Sequence, residues 1–398
     1  MNILVLPSWY PTATNPLNGV FFREQALALQ KAGHRVSVLV SPILLSKQKL
    51  GQVRRWSELR AQVLSQEDHG LPTYRVYQWG WFPGFLQRGN LWLQVRAAQR
   101  AFDRYRQDQG LPDVIHAHSI LYGGYVAGQI GARWHVPVVI TEHSTRFQRS
   151  LIRPDQVPII RDTLRLASKR LAVSPTLAAE LRPYDKGCEI EVLGNLVDGK
   201  FFALPQDPLP AEPFVFTAVA FLEPKKGFDI LLEAFALAFR GKPARLHIGG
   251  DGSQRSALEK QASDLGIAPQ VEFLGRLPRN EVRALLQQSH VLVSSSHVET
   301  FGVTLIEAMA CGKPVVATRS GGPDSIVDET SGLLVEPGNA SALATAMRHM
   351  RDDYGRYDPE KIRASCLARF GQEAIVQRLT EIYRTLAPTI TDLRFGSR

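Results

Sequence analysis

Two doubly wound α/β units in tandem are the fold class the sequence predicts, and three observations predict it. Strand-like and helix-like segments alternate through residues 1–200. A Pro-punctuated stretch, Leu204-Pro205-Gln206-Asp207-Pro208-Leu209-Pro210, then breaks the pattern as a linker does. Beyond it the alternation restarts and runs for a comparable length, and 398 residues suit two cores better than one.

In the first half, Ile3 to Leu6, His34 to Val40, Asp113 to His118, Val136 to His143, Arg170 to Ser174 and Ile190 to Asn195 read as strands. The opening Met1-Asn2-Ile3-Leu4-Val5-Leu6 lacks a basic leader and a cleavage site, so it reads as the first strand, not a signal segment. Val20 to Lys31 and Leu91 to Tyr105 carry amphipathic helical spacing, the first stopped at Gly33. Residues 42–90 fit the alternation worst: they hold a basic, Gln-rich stretch from Lys47 to Gln66 and an aromatic run from Tyr77 to Phe85. In the second half, Phe214 to Ala220, Arg245 to Gly249, Val271 to Leu274, Val291 to Ser295, Pro314 to Thr318 and Gly332 to Val335 read as strands. The domains expected are 1–200 and 201–369. Open α/β sheets bind ligands beyond the carboxyl ends of their strands, so two facing sheets would share a cleft.

With 44% hydrophobic and 21% charged residues, the chain has a globular composition. Three scattered cysteines, Cys188, Cys311 and Cys366, argue against a disulfide framework and for a cytoplasmic setting. No run approaches the ~20 apolar residues a membrane-spanning helix needs. The net charge of +9 is uneven: residues 1–200 hold 25 Lys+Arg against 15 Asp+Glu, and residues 201–398 hold 22 against 23. All six tryptophans also fall in the first half. A basic, Trp-rich half suits an anionic partner such as a membrane surface or a lipid-linked phosphate, although a solvated basic face accounts for it equally well. Without a nucleic-acid-binding motif and with a second half that is not basic, no nucleic-acid partner is expected.

The chemistry concentrates in Glu299-Thr300-Phe301-Gly302-Val303-Thr304-Leu305-Ile306-Glu307, which follows a strand-like run and enters a helix ended by Gly312-Lys313-Pro314. One carboxylate in a strand-to-helix loop and another two turns on suit the recognition of vicinal hydroxyls, since each accepts two or more hydrogen bonds. The backbone amides of Phe301, Gly302, Val303 and Thr304 would form a free helix N-terminus, a metal-free seat for a phosphate or a sugar hydroxyl. Glycines in Gly249-Gly250-Asp251-Gly252 and Gly321-Gly322-Pro323-Asp324 permit tight turns, yet neither run is the Gly-x-Gly-x-x-Gly of a dinucleotide cofactor. No Asp-x-Asp occurs, so a diphosphate would be met by side chains and amides with no cofactor. The bland reading of both glutamates is a solvent-facing helix residue. Glu307, set between Ile306 and Ala308-Met309, favours a buried and partnered role.

The Glu-x7-Glu stretch and its continuation, Ala308-Met309-Ala310-Cys311-Gly312-Lys313-Pro314-Val315-Val316, resemble the retaining glycosyltransferases of family 4. The resemblance runs from Met1 to about Tyr383 and is densest between Phe214 and Pro337. It implies the GT-B fold, with a last helix (Gln372 to Leu386 here) crossing back to the first domain. It implies an acceptor-binding first domain and a second domain that binds a nucleoside-diphosphate sugar, a UDP- or GDP-sugar, as substrate. By resemblance Glu299 contacts the transferred sugar and Glu307 the ribose, and Gly275-Arg276 lies at the base-binding turn. The family's phosphate-gripping Arg and Lys correspond to Phe221 and Lys226 in Phe221-Leu222-Glu223-Pro224-Lys225-Lys226-Gly227. Either Lys225 or an arginine of the first domain replaces the missing cation, or phosphate is held more weakly and depends more on closure. Ser325 stands where the family often has Glu. Gly19 resembles the loop that approaches the donor phosphates and the acceptor, and His118 matches a position facing the reacting sugar, although a lone strand-end histidine is more often structural. Glu142, beside His143, could be mistaken for a catalytic base. The resemblance implies retention without a covalent protein nucleophile, with catalytic parts for His118, Glu299 and Lys226. The acceptor expected is a lipid-linked or surface-polysaccharide saccharide, with peripheral contact at an anionic inner membrane face. A soluble acceptor and a catalytically silent nucleotide-sugar-binding subunit remain as alternatives.

Overall fold

The computed structural model describes residues 1–12, 15–45, 62–80, 87–185, 187 and 189–386. The basic positions Arg54, Arg55 and Arg60, most of the Gln-rich stretch, Trp81 to Phe85 and Cys188 lie outside them. The chain divides into two compact units. One comprises Met1–Val173, Leu177–Leu193 and the chain from Val376; the other comprises Ser174–Thr176 and Gly194–Ile375.

In the first unit the strands are β1 (Asn2–Pro7), β2 (Arg35–Val40), β3 (Ile43–Leu45), β4 (Val63–Asp68), β5 (Leu71–Val76), β6 (Gln78–Gly80), β7 (Val114–His118), β8 (Val138–Glu142), β9 (Lys169–Ala172) and β10 (Glu191–Val192). Eight of them form one sheet in the order β10-β9-β8-β7-β1-β2-β5-β4, and β3 pairs with β6 separately. All pairs in the large sheet are parallel except β4 with β5. Central strands read as unbroken apolar runs because helices cover both faces, and all six residues of β1 are buried. The helices are α1 (Val20–Lys31), α2 (Gln87–Gln109), α3 (Tyr125–Trp134), α4 (Val157–Leu166) and α5 (Pro175–Leu181).

Residues 42–90 are where the structure adds most to the expected pattern. β4 and β5 make an antiparallel hairpin, with Asp68 paired to Leu71 across His69-Gly70. Both turn residues have positive φ, 53° and 85°, the twist that a two-residue hairpin needs. β4 escaped the periodicity because it is an edge strand whose Leu64, Ser65, Gln66 and Glu67 are all exposed.

The second unit holds β11 (Phe214–Val219), β12 (Ala244–Gly249), β13 (Val271–Gly275), β14 (Val291–Ser294), β15 (Val315–Thr318) and β16 (Gly332–Val335), in the order β13-β12-β11-β14-β15-β16. Every pair is parallel. Its helices are α6 (Phe228–Phe239), α7 (Arg255–Asp264), α8 (Arg279–Gln287), α9 (Val303–Ala310), α10 (Ala340–Asp352) and α11 (Pro359–Phe370). Phe216, Phe235 and Phe239 anchor the core under α6 and α10. In both sheets the strand order reverses beside the first strand, between β1 and β7 and between β11 and β14. Those reversals are where an open sheet leaves a crevice at its carboxyl edge.

The last helix, α12 (Gln372–Leu386), has the expected span, and from Val376 it belongs to the first unit. Polar contacts fix it there. Tyr383 Oη lies 2.6 Å from His116 Nδ1, Thr380 Oγ1 lies 3.0 Å from His34 Nε2, and Arg378 donates twice to one Glu191 oxygen at 2.7 and 2.9 Å. His116 Nε2 is also 2.8 Å from Thr141 Oγ1, so this imidazole ties α12 to β7 and β8. Burial pushes the His116 imidazole down to about 3 and holds His118 well below the usual histidine range.

A depressed histidine pKa stabilises the fold fully above the unfolded value of 6.5 and loses that contribution as pH falls towards the folded value. Unfolding free energy is therefore expected to drop by roughly 1.4 kcal/mol per pH unit for each such histidine between about pH 6 and 5, above the main carboxylate range. Denaturant titrations across that window check it, with His116→Gln removing one histidine's share of the slope.

Candidate active site

Elements flanking the reversal in the second sheet bring the predicted residues together. After β11 the chain passes Phe221, then turns through Glu223-Pro224-Lys225-Lys226-Gly227 into α6. After β14 it passes Ser295 to Glu299 and turns into α9. The two loops are sewn to each other: His297 N donates to Lys225 O at 2.8 Å, and Ser295 Oγ to Lys226 O at 3.0 Å. Gly227, at φ 61°, lets them approach, because a Cβ there would sit 2.3 Å from Ser295 O. The Lys226 ammonium is thereby held against the Glu299 carboxylate in a half-buried ion pair. Lys225 pairs instead with Glu223, at 3.1 Å. Phe221 is 47% exposed, so its ring covers surface at the position where the resemblance expects a cation.

Glu299 is also fixed through its backbone. Its N–H donates to Ser320 O at 3.0 Å, and its carbonyl accepts from Gly322 N at 2.7 Å. Gly322 is obligatory because an added Cβ would lie 2.3 Å from Phe301 O. The Phe301 ring packs on Phe370 at 5.5 Å and is buried, and its backbone lies against Gly322. Gly302, at φ 105°, opens α9 and, as a glycine, brings no capping side chain of its own. Val303 and Thr304 begin the helix, and Glu307 stands half-buried one turn on. Ser325 donates its hydroxyl to Gly322 O at 2.9 Å, and Asp324 accepts from Gly321 N at 2.9 Å, so both shape this turn.

A neighbouring layer is built of backbone. Ala220 N donates to Gly249 O at 3.1 Å, Gly250 N to Gly275 O at 2.7 Å, and Leu222 N to Asp251 O at 3.1 Å. Gly275 has φ 72°, while Arg276 beside it is exposed. The sequence reading missed Arg255, at the start of α7. Its Nη2 donates to Phe273 O at 3.3 Å and its Nη1 lies 3.2 Å from where a Gly275 Cβ would be. The available signal was an arginine on the first turn of a helix that follows a glycine-rich loop.

In the first unit, Gly19 (φ 77°) opens α1, and a Cβ on it would meet the Trp9 carbonyl at 2.8 Å. His118 ends β7 beside the reversal and is fully buried. Phe22 of α1 stacks on it, with centroids 4.5 Å apart and planes at 25°. Glu142 has no room for base chemistry: its oxygens accept from the amides of Ile120 at 2.7 Å, His143 at 2.9 Å and Ser144 at 2.6 Å. Burial raises its carboxyl pKa while those amides oppose the shift, which marks a group that organises backbone. Among the described residues no three His, Cys, Asp or Glu side chains converge as a metal site requires, and no helix is long and apolar enough to cross a membrane.

Residues 19–201 match the family described as Glycosyltransferase Family 4, and residues 201–364 match that described as Glycosyl transferases group 1. The chain is 31% identical over 326 residues to a D-inositol 3-phosphate glycosyltransferase of Frankia alni, covering 74% of this chain and 79% of that one. It is 27% identical over 386 residues to a Bacillus subtilis protein provisionally named as the teichuronic acid biosynthesis glycosyltransferase TuaC, covering 91% and 90%. The solved structure of Anabaena Alr3699/HepE in complex with UDP-glucose has a TM-score of 0.72 at 20% identity and covers 97% of this chain and 100% of that one. The shared fold is GT-B.

Gly250 offers a direct check on the backbone layer. At φ 150° an added Cβ would lie 1.9 Å from Ala220 O. Gly250→Ala is expected to lower unfolding free energy by about 1–3 kcal/mol in denaturant melts, by overpacking and backbone strain.

Proposed function

Because the chain belongs to the family 4 (group 1) glycosyltransferases, we propose that it moves a hexose-type sugar from a UDP- or GDP-sugar to a hydroxyl of a lipid-linked or surface-polysaccharide acceptor, with retention and without a metal. The observation that carries this reading is the Lys226–Glu299 pair at the second sheet's reversal, beside the N-terminal end of α9 that Gly302 opens. A diphosphate entering there supplies Lys226 with a stronger anionic partner and frees Glu299 to accept from sugar hydroxyls. The amides opening α9 add about half a positive charge, and Glu307 accepts from the ribose hydroxyls. Gly275 and Arg276 meet the base. In the first unit, the loop at Gly19 and the His118 ring orient the acceptor hydroxyl.

No covalent protein nucleophile is assigned. The bond from the anomeric carbon to the diphosphate breaks as the acceptor oxygen bonds to the same face. The departing phosphate takes the acceptor's proton. Positioning and stabilisation of the leaving charge are then the protein's share of the rate. Two named proteins support the substrate classes: Alr3699/HepE was solved with UDP-glucose, and TuaC is provisionally named for teichuronic acid biosynthesis. The exposed Phe221 favours one competing reading, a silent subunit that binds the donor without transfer. Slow hydrolysis of the donor separates the two.

A thermal-shift panel of UDP-, GDP-, ADP- and CMP-sugars tests the proposal, with one UDP- or GDP-sugar expected to stabilise the protein well above its bare nucleotide. Stabilisation by none of them would overturn it. Glu307→Ala is expected to raise the donor Kd by about 10- to 100-fold in calorimetry, the loss of a charge-assisted hydrogen-bond pair, with the fold intact. EDTA is expected to leave transfer unchanged.

For the membrane part, the described residues offer α2. Trp92, Arg96, Arg100 and Arg104 recur every four residues and are all exposed, with the Arg96 guanidinium 4.6 Å from the Trp92 ring centroid. An aromatic ring beside a basic stripe suits an anionic headgroup layer. Arg96→Glu with Arg100→Glu is expected to weaken cosedimentation with phosphatidylserine vesicles by at least tenfold, at about 1 kcal/mol for each cation removed. Unchanged binding would exclude this face.

A further inference from the structure

The candidate site occupies the carboxyl edge of the second sheet, and the amino edge of the same sheet carries a feature that transfer does not use. Where β11, β12 and β13 begin, a basin of about 760 Å³ opens between the segment before β11 and the loops that enter β12 and β13. Arg240, Lys242 and Arg245 line it, and Glu212 is the one carboxylate that does. We propose that this basin is a second anion site, one that takes a diphosphate group. Six-residue strands separate it from the carboxyl edge, a distance of roughly 20 Å. It holds whether or not the protein transfers sugar.

Charge is the first reason. None of the three cations has a carboxylate partner among the described residues. The carboxylates carried by neighbouring segments are engaged elsewhere. Glu212 takes Arg351 Nη2 at 3.3 Å, Asp264 takes Lys260 at 2.6 Å, and Glu272 faces His247 at 3.7 Å. Three like charges around one concavity raise each other's energy and focus a positive potential inside it. A bound polyanion removes that cost.

The shape of the donors is the second. Each arginine is tied to a backbone carbonyl through Nη1 alone, Arg240 to Leu265 O at 3.5 Å and Arg245 to Pro269 O. Both keep the edge formed by Nε and Nη2. That edge presents two parallel N–H groups, the fork that matches two oxygens of one phosphoryl group. Two forks suit two phosphoryl groups, and Lys242 adds a point charge. The frame beneath them is already set. Gln270 Nε2 points at Phe239 O and Lys242 O, each at 2.9 Å, and at Ala244 O at 3.2 Å, while its Oε1 accepts from Gly241 N at 3.0 Å. One amide thus pins the loop that carries Arg240 and Lys242 against the start of β13. Arg245 is fixed by the sheet, in register with Val215 of β11. A ligand meets cations whose backbone needs no ordering, which lowers the cost of binding.

Pyrophosphate titrated into Lys226→Ala protein reads the basin apart from the carboxyl-edge site. One saturable site is expected, by calorimetry and by 31P line broadening. Arg240→Gln with Arg245→Gln should raise its Kd at least about tenfold, the loss of two charge-assisted forks. Arg356→Gln with Lys361→Gln removes the same charge where both cations already face carboxylates, and should leave the Kd within about twofold. Should the first pair not fold, Lys242→Gln decides with an expected severalfold loss, since that ammonium makes no hydrogen bond among the described residues. No saturation below about 10 mM, or an equal loss in the Arg356 and Lys361 control, would overturn the proposal. UDP separates the sources. If it binds with the same dependence on Arg240 and Arg245, the site takes nucleoside diphosphates; if only pyrophosphate binds, it takes free diphosphate. In otherwise wild-type protein the Arg240 and Arg245 pair should leave the thermal shift given by a donor sugar unchanged, so the two sites stand or fall separately.

Discussion

A parallel strand covered by helices on both faces can present polar groups only at its ends. That constraint organises both units. The six buried residues of β1 and the buried Val291, Leu292 and Val293 of β14 leave no side chain free for chemistry along their length. What reaches a ligand must sit where the strands stop, and the crevice is deepest where the strand order reverses. Lys226 and Glu299 come from the two loops that flank one reversal, and His118 ends a strand that flanks the other.

Glycine carries the precision of these edges. Gly227, Gly250 and Gly322 each place their backbone where a Cβ would fall within 2.3 Å of a carbonyl oxygen. Loops from β11, β12, β13 and β14 can therefore hydrogen-bond to one another directly. A site built from backbone holds its shape without depending on side-chain rotamers. It needs few charged residues to be positioned, and those few, such as Glu299, are pinned through their own amide and carbonyl.

Much of this was legible in the sequence because it follows from periodicity and from one motif. All twelve strands expected appear within a few residues, and α1 and α12 have the expected ends. The hairpin of β4 and β5 was not legible, since an exposed edge strand of polar residues has no apolar alternation to detect. The pairing of Lys226 with Glu299 was not legible either: 73 residues separate them, and only the folding of two loops onto each other makes them neighbours. Arg255 was hidden for the same reason. Glu142, a carboxylate beside a histidine at a strand end that could be mistaken for a catalytic base, is assigned to architecture by three amide hydrogen bonds.

On the proposed reading, Phe221, standing where the resemblance expects a phosphate-binding arginine, bears on how much charge the second unit would offer a diphosphate. Lys225 and Lys226 are each already compensated, by Glu223 and Glu299. A ligand must therefore compete with carboxylates for both ammonium groups, unlike one that enters a site with free cations. For Lys226 the exchange is favourable where the displaced Glu299 gains sugar hydroxyls as donors. A bare diphosphate gives it none. Under the proposed function, charge compensation of this kind would make binding depend on the sugar and the phosphate together and would discriminate an intact nucleotide sugar from a nucleotide that has lost its sugar.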